Sequence, residues 1–348
     1  MAYTTIDNSE LYFQTKIYTG NGSTQAITLD GDEDMQPDFV WIKDRDATNS
    51  HRLTDSVRGV EKELYSNQTY TEDPNGGLTA FGSDGFSLNS NGSYNGNTVK
   101  YVAWNWKAGG SASSNSDGSI TSTVSASTDA GFSIVSYTGN AGATETIGHG
   151  LGAVPSVIIV KRRSTTGDWI FYHKDVGNDG NLKLNTTNAK LTGITWRSTT
   201  PTSSVFTVGE DGGDYQVNNP SGATFIAYCF AEKQGYSKFG SYTGNGNANG
   251  TFVYTGFKPA FIMVKNTETS VNAWNMFDAK RSPFNVLNAR LYASANSSEG
   301  TGNMCDFLSN GVKFRNTDSD YNSTHKFIYM AFAENPFVTS TGIPTTGR

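Results

Sequence analysis

Apolar residues in this chain cluster in runs of five to eight, and Gly, Asn, Asp and Pro residues separate the runs. Short runs rich in β-branched and aromatic residues are typical of strands and turns, not of helices. Three strand-like apolar runs, PDFVWIK, PSVIIVK and PAFIMVK, begin with proline, and the last two are almost continuously apolar, which predicts strands covered on both faces or central in a sandwich. Recurrent DG, NG and GN dipeptides predict hairpins or bulges. Only DSVRGVEKELY, residues 55–65, is compatible with a short helix.

A five-residue phrase marks three copies of one pattern. It begins at Tyr18 and Tyr242 as YTGNG and at Tyr137 as YTGNA. The prolines that open the three apolar runs follow after 19, 18 and 17 residues, at Pro37, Pro155 and Pro259. Each copy closes with a further strand, YVAWNWKA, FIAYCFAE or FIYMAFAE, which begins 64, 70 and 68 residues after its proline. This spacing indicates an internal repeat, and we interpret the phrase as a structural joint: a packed tyrosine followed by a turn with positive φ.

An aspartate follows each proline-led strand, and we align Asp55, Asp175 and Asp278 on that basis. An arginine stands three residues after two of them, at Arg58 and Arg281. We interpret these Asp–Arg pairs as buried or half-buried contacts between a loop and a sandwich. Turn-plus-aromatic segments come next, FGSDGFSL and FLSNGVKF, with the vaguer SSVFTVGEDG in the middle copy.

The repeat predicts an all-β fold of three tandem antiparallel β-sandwich modules of the jelly-roll type. We place a first repeat at 15–110, a second at 131–239 and a third at 240–338. The Gly/Ser/Thr-rich stretch 111–130 has no periodicity, so we expect an extended or flexible linker there. An N-terminal attachment segment, 1–14, and a C-terminal tail, 339–348, lie outside the repeats.

Charge and hydropathy exclude several classes of partner. The 348-residue chain has a net charge of −6, which argues against a nucleic-acid partner or an anionic membrane surface. No apolar run approaches the ~20 residues that a membrane span needs, so we expect no membrane insertion. The first residues, MAYTTIDNSELYFQ, have neither the basic nor the apolar part of a signal peptide, so we expect no export by that route.

Residues that could perform chemistry are few, and we expect no catalytic, cofactor or metal site. Cys229 lies in an apolar run and is expected to be a buried thiol, and His149 in a glycine-rich loop is expected to make a local hydrogen bond. The acidic loop 30–34 lacks the EF-hand spacing, and both a calcium site and a solvated turn stay open for it. Trp104 and Trp106 align with large apolar residues of the other repeats, which favours core packing over sugar stacking.

Several longer phrases together resemble a family of structural proteins from tailed bacteriophages, notably marine phages of cyanobacteria. They include MAYTTIDNSELYFQTKIYTGNG, PDFVWIKDRDATNSHRLTDSVRG, TIGHGLGAVPSVIIVKRRS, GYSKFGSYTGNG and AFAENPFVTSTGIPTTGR, and they cover nearly the whole chain. The resemblance implies a virion protein of concanavalin-A-like or jelly-roll modules, assembled in the host cytoplasm. It also implies a tail fibre or other appendage, with other virion proteins as partners, a host surface glycan or receptor as ligand and a homotrimer as the assembly.

Two alternatives stay open at this stage. The short N-terminus has no coiled-coil heptads and no β-helical shaft, which favours a head-decoration (cement) protein or a tail adaptor over a fibre. A carbohydrate-active enzyme is the third alternative. It needs two carboxylates held ~5–10 Å apart in a cleft, and the alternating E-x-D-x-E strand of some sandwich glucanases is absent.

Overall fold

The computed structural model describes residues 2–209 and 217–345, and within these ranges the chain is almost entirely β. The described helices are a 3-10 turn, Ser9–Leu11, and a single-turn helix α1, Gly92–Asn95, and neither could span a membrane. All named strands pair antiparallel, so the prediction of an all-β antiparallel fold is confirmed. The last residues of the predicted segment SSVFTVGEDG lie outside the described residues.

The first repeat folds into two facing sheets. Its seven strands are β1 Phe13–Thr19, β2 Gln25–Thr28, β3 Phe39–Asp44, β4 Arg52–Asp55, β5 Leu78–Gly82, β6 Gly85–Leu88 and β7 Lys100–Trp106. Four of them form a sheet in the order β1-β7-β3-β4, and the other three form a sheet in the order β2-β6-β5. Ile27 and Phe86 of the smaller sheet pack against Val40 and Ile42 of the larger one, which is the sandwich core of this repeat.

The second repeat and the stretch before it form an eight-stranded sheet and a two-stranded sheet. The strands are β8 Ser113–Asn115, β9 Ser122–Ser127, β10 Phe132–Thr138, β11 Glu145–Gly148, β12 Val157–Arg162, β13 Trp169–His173, β14 Gly180–Lys183, β15 Leu191–Thr192, β16 Val205–Val208 and β17 Thr224–Phe230. The large sheet has the order β15-β14-β13-β12-β17-β10-β9-β8, and β11 pairs with β16.

The third repeat forms one eight-stranded sheet that folds over its own core. The strands are β18 Ser237–Thr243, β19 Phe252–Tyr254, β20 Phe257–Asn266, β21 Asn275–Asp278, β22 Leu287–Tyr292, β23 Gly300–Leu308, β24 Gly311–Phe314 and β25 Lys326–Pro336. Their order is β18-β25-β20-β21-β22-β23-β24-β19. Val253 and Phe314 at one end of this order pack with Ile262 and Val264 near the other end, which shows that the sheet curls into two layers.

One local prediction agrees with the structure only in part, and one was wrong. The segment 111–130 is extended, but it is not a flexible linker, because β8 and β9 within it extend the sheet of the second repeat. The stretch 55–65 is not a helix: it is a turn followed by isolated bridges, including Leu53 with Leu64. Asp55 holds this turn by accepting backbone N–H groups, and Gly59 adopts a φ of 95°, which no α-helix contains.

Each proline-led strand is buried on both faces, as its continuous apolar pattern predicts. In β3, Val40 and Ile42 face the sandwich core, whereas Phe39 and Trp41 face a separate cluster that all three repeats share. Alternate residues of β12 and β20 divide between their own cores and the shared cluster in the same way. Because side chains alternate between the two faces of a strand, one run of residues contributes both to the sandwich core and to the shared cluster.

Three aromatic rings, one from each repeat, meet within this shared cluster. Trp106, Phe230 and Phe332 occupy the same position of the three closing strands, since they pair with Phe39, Val157 and Phe261. Their ring centroids lie 6.5 Å (Trp106–Phe230), 5.8 Å (Phe230–Phe332) and 5.6 Å (Trp106–Phe332) apart. We call these three rings the aromatic triad. Each repeat thus contacts both of the others, and the three close into a ring.

Removal of one ring from the triad should destabilise the whole chain. We expect Phe332→Ala to lower the free energy of unfolding by about 3–5 kcal/mol, because it leaves a cavity where three repeats meet. The matched control is Phe284→Ala, since the Phe284 side chain is 79% exposed. Denaturant titration measures both. Loss of stability from Phe284→Ala as large as from Phe332→Ala would contradict the central role of the triad.

Candidate functional site

The three repeated tyrosines make the same contacts. The hydroxyls of Tyr18, Tyr137 and Tyr242 donate to the backbone oxygens of Tyr94, Val217 and Tyr321, at 2.8, 2.5 and 2.6 Å. Their rings stack on those of Tyr101, Phe225 and Phe327, with centroids 5.1, 5.0 and 5.1 Å apart. Burial raises the pKa of all three tyrosines, so they stay neutral hydrogen-bond donors. The phrase is a joint within the fold and not a ligand-binding motif.

A buried asparagine that the sequence reasoning missed completes each joint. The side chains of Asn95, Asn218 and Asn322 accept the backbone N–H of Asn21, Asn140 and Asn245, at 2.9, 3.1 and 3.3 Å. The turn then closes with a positive φ of 68° at Gly22, 58° at Ala141 and 62° at Gly246. An asparagine five to seven residues before each closing strand was the available signal.

The repeated prolines lie at the beginning of the central strands. Pro37 and Pro155 lie two residues before the first residues of β3 and β12, Phe39 and Val157. Pro259 lies within β20, at an irregularity of the register with β25. In each place a missing N–H interrupts no regular ladder.

The first Asp–Arg pair lies between the first and second repeats. Arg58 and Asp55 are fully buried and form an ion pair. Tyr228 of the second repeat donates its hydroxyl to Asp55 Oδ2 at 2.8 Å. Arg58 also contacts Glu72 at 3.2 Å, and Glu72 pairs in turn with Arg163 of the second repeat at 2.9 Å. This charged interface between two repeats, which we call a seam, joins residues 91 positions apart (Glu72 and Arg163) and 173 positions apart (Asp55 and Tyr228).

The second Asp–Arg pair forms an equivalent network between the third and first repeats. Arg281 Nε lies 2.5 Å from Asp278 Oδ2, and Trp104 of the first repeat donates its indole N–H to that oxygen at 3.1 Å. Arg281 contacts Glu299 at 3.0 Å, and Glu299 pairs with Arg45 of the first repeat at 2.7 Å. The two networks match position for position: Asp278, Arg281, Glu299 and Arg45 correspond to Asp55, Arg58, Glu72 and Arg163, and Trp104 corresponds to Tyr228.

Among the residues that the structure describes, the seam between the second and third repeats has no such network, and the alignment of Asp175 with the other aspartates was wrong. His173, not Asp175, pairs with Val157, as Asp55 pairs with Phe39 and Asp278 with Phe261. His173 Nε2 lies 3.3 Å from the backbone oxygen of Tyr329, and burial lowers its pKa to about 4. Val176 takes the position of Arg58 and Arg281, and Met330 takes the position of the donor rings Tyr228 and Trp104. This seam therefore differs from the charged seams at all of these positions together.

A buried lysine lies near the end of each central strand. Lys161 Nζ donates to the backbone oxygen of Thr69 at 3.1 Å, and Lys265 Nζ donates to that of Thr187 at 3.0 Å, so both cross a seam. Lys43 donates within its own loop, to Ala47 O at 3.1 Å. Burial lowers the pKa of Lys43, Lys161 and Lys265 to about 8, 7 and 8. Carbonyl oxygens surround these ammonium groups, which makes them structural.

His51 takes the position that Trp169 and Trp274 hold in the other repeats, and all three bond to a carbonyl of a neighbouring repeat. His51 Nδ1 accepts the indole N–H of Trp41 at 2.8 Å, so Nε2 carries the hydrogen that faces Tyr292 O at 2.9 Å. Burial holds the pKa of His51 at about 3. This imidazole is neutral, fixed and unsuited to proton transfer at neutral pH.

The remaining sequence candidates show structural roles. Cys229 and Cys305 are buried free thiols, and burial raises their pKa. His149 makes the expected local contacts, to Thr202 O at 3.1 Å and from Leu151 N–H at 3.2 Å. In the acidic loop, Asp30 pairs with Lys16 and Lys280 at 3.4 and 3.0 Å. Within residues 2–209 and 217–345, no group of three or more His, Cys, Asp or Glu is arranged for a metal ion.

A pocket of about 350 Å³ beside Tyr254 has the chemistry of a ligand site. We call it the tyrosine pocket; it is lined by Tyr3, Glu232, Gln234, Gly235, Ser237, Lys238, Tyr254, Thr255 and Gly256. Tyr254 is 53% exposed, because Val253 before it enters the core and alternation turns its own side chain outward. An exposed aromatic face next to carboxylate, amide and ammonium groups suits a sugar, whose ring stacks while its hydroxyls form hydrogen bonds.

The N-terminal segment builds one wall of the tyrosine pocket. The Tyr3 hydroxyl donates to Gly256 O at 2.5 Å, and Thr4 Oγ1 donates to Gln234 O at 2.7 Å. Burial and the neighbouring Tyr254 raise the pKa of Tyr3. Sequence reasoning missed this pocket because its walls are more than 200 residues apart, although the alternation in FVY signals an exposed Tyr254.

The chain matches the model of a family described as a domain of unknown function, DUF7483, over residues 8–336. It belongs to this family. No curated protein sequence matches the chain. The DUF7483 match spans all three repeats, and it leaves out Tyr3 and Thr4, which close the tyrosine pocket.

The neutral seam of this DUF7483 protein provides an internal control for the charged ones. We expect Arg58→Val to destabilise the fold by about 3–5 kcal/mol, because Asp55 is left buried without its cation. The double variant Asp55→His with Arg58→Val, which copies His173 and Val176 of the neutral seam and leaves Tyr228 in place, should be less destabilised than Arg58→Val. Denaturant titration compares the two, and a double variant less stable than the single one would contradict this account.

Acid should destabilise the DUF7483 protein partly through His51. Its folded pKa of about 3 lies below the unfolded value of about 6.5, so the unfolded chain binds the extra proton as the pH falls below 6.5. The expected loss is about 2 kcal/mol between pH 7 and pH 5. His51→Gln can keep both hydrogen bonds without titrating, so its melting temperature should fall less over this range. Equal pH profiles for the two proteins would contradict the prediction.

Proposed function

We propose that this protein is a non-enzymatic structural protein of a tailed-bacteriophage virion, located in a tail fibre or other appendage, and that it binds a host surface glycan through the tyrosine pocket. The resemblance described above, which covers nearly the whole chain, supports the virion role. The observation that carries glycan binding is the exposed Tyr254 ring beside Gln234, Glu232 and Lys238. A closed ring of β-sheets is a rigid scaffold for such a surface site.

The chemistry of the pocket favours binding over catalysis. Glu232 is the one carboxylate among the residues that line it, and it pairs with Lys174 and with Lys238, the latter at 3.2 Å. Glycoside hydrolysis uses two carboxyl groups that flank the bond, one of which must hold or accept a proton. The oxygens of Glu232, which contact these two lysines, can also accept hydrogen bonds from sugar hydroxyls.

A head-decoration protein or tail adaptor is the second candidate, and one observation favours it. Three repeats related by matching contacts already form a threefold-like ring within one chain, and such a ring suits a threefold site of a particle. The copy number in purified virions distinguishes the two roles, because decoration follows capsid symmetry and a fibre is present in a few copies. The homotrimer stays a prediction, which sedimentation of the purified chain measures.

Loss of the exposed ring should abolish recognition without unfolding the protein. We expect Tyr254→Ala to weaken binding to surface polysaccharide extracted from the host by at least about tenfold, or about 1.4 kcal/mol. Phe284→Ala is the matched control, because Phe284 is an exposed aromatic that does not line the pocket. Binding to immobilised polysaccharide, with a thermal melt of each variant, provides the measurement.

Two results would overturn the proposal. The first is equal binding by Tyr254→Ala and Phe284→Ala. The second is no binding by the wild-type chain to polysaccharide on which the phage particle itself adsorbs. Release of reducing sugar during the assay would instead support the enzymatic alternative.

A further inference from the structure

The first repeat has a sheet edge that is open. Within the described residues, β1 forms a ladder with β7 on one side and with no strand on the other. Lys107 N–H donates to Tyr12 O at 3.0 Å, and Gly20 N–H donates to Val99 O at 2.8 Å. This register directs the backbone groups of the even-numbered residues at β7, so those of Thr15 and Ile17 point away from the sheet. Unpaired groups on such an edge are a template for another strand.

The second repeat shows what covers the same edge. Its counterpart strand, β10, pairs with β17 on one side and with β9 on the other, with Ile134 opposite Ser125 and Ser136 opposite Thr123. The strand β9 comes from the Ser/Thr-rich segment 111–130. In the second repeat, an extended strand with mostly small, polar side chains therefore pairs with this edge.

The seam beside β9 is also filled by the chain itself. Gly109 N–H donates to Ser125 Oγ at 3.1 Å, and Ser125 Oγ donates to Gly110 O at 2.7 Å. Asp38 Oδ2 accepts the N–H of Ala108 at 2.8 Å. A Cβ on Gly109 would lie 2.2 Å from the backbone oxygen of Ala126, so the two segments are in close contact.

The corresponding seam between the third and first repeats contains a cavity of about 290 Å³ in place of these segments. Phe13 and Thr15 line one side, where the filled seam has Phe132 and Ile134. The Thr15 hydroxyl is buried without a hydrogen-bond partner. Residues 335–345, the described part of the chain beyond Glu334, do not line this cavity: Phe337 N–H bonds to Gly256 O and Ser340 bonds to Asp7.

We infer that the open edge of β1 and this cavity, together called the strand-acceptor site, bind an extended Ser/Thr-rich segment of a partner protein as an added antiparallel strand. The inference goes beyond glycan binding and does not depend on it. Among the carboxylates that line the cavity, Asp30 pairs with Lys16 and Lys280 and Glu334 pairs with Lys258, whereas Glu10 forms no salt bridge within the described residues, which favours a basic residue near the incoming strand. A polar strand with one lysine or arginine is thus the partner chemistry.

Two observations select this occupant and this edge. Lys16 lies at the middle of β1, so in-register pairing of two β1 strands would place like charges opposite each other, which disfavours a second copy. The equivalent edge strand β18 is already protected, because Glu232 accepts the N–H of Phe239 at 3.4 Å and pairs with Lys238. Within the described residues, no side chain accepts the N–H of Thr15, the residue of β1 that corresponds to Phe239.

The chain supplies its own probe for the test. A fluorescent peptide of residues 119–128, SITSTVSAST, and a version with one added C-terminal lysine are titrated against the full-length protein. We expect saturable binding of both, at least about threefold tighter for the lysine version, and slowed amide hydrogen exchange confined to residues 13–19. Ile17→Pro removes an outward N–H and should weaken binding at least about tenfold. Ser241→Pro makes the same change on β18 and should leave binding unchanged.

A second variant keeps the test decisive if Ile17→Pro fails to fold. Ala260→Phe fills the cavity from the third repeat and should also weaken peptide binding at least about tenfold, while a thermal melt checks its stability. No saturable binding of either peptide would overturn the inference, as would slowed exchange outside residues 13–19. Dimerisation of the wild-type chain that Ile17→Pro abolishes would assign the edge to a second copy, and would overturn it equally.

Discussion

The mutual packing of Trp106, Phe230 and Phe332 is the contact on which the rest of the structure depends. Each ring projects from a closing strand that lies inside its sheet, so the sheet must be apolar on the face toward the other repeats as well as on the face toward its own sandwich core. A single repeat would expose half of this apolar surface to water. Association of the three repeats is therefore part of folding and not a later assembly step.

Around this centre, the seams determine which repeat meets which. Two seams bury matching Asp–Arg–Glu–Arg networks, and the third buries His173, Val176 and Met330 instead. Buried ion pairs add little net stability compared with well-packed apolar residues, but a mismatched partner leaves an uncompensated charge. The difference between the two charged seams and the neutral one thus disfavours pairing of a repeat with the wrong neighbour.

The two candidate binding sites lie where the repeats differ. The tyrosine pocket exists because the N-terminal segment and the connection before β18 meet beside β19, a junction that the other repeats do not have. The cavity along β1 exists because the segment that fills its counterpart belongs to the second repeat. Repeated positions carry the packing of this protein, and the departures from the repeat supply concave surface with polar groups.

The sequence by itself determined the strands, the hairpins and the tyrosine joints, because period-two burial and turn chemistry are local properties. It also placed Trp104 and Trp106 in the core and paired Asp55 with Arg58. It failed in three places: hydrogen bonds to Asp55 and the positive φ of Gly59 make a turn of an expected helix, β9 in an expected linker pairs with β10, and the cross-strand register puts His173 where Asp175 was expected. A strand that is apolar on both faces must be packed on both faces, but its sequence pattern cannot identify what packs against the second face. Only the tertiary structure showed that each repeat covers the other two.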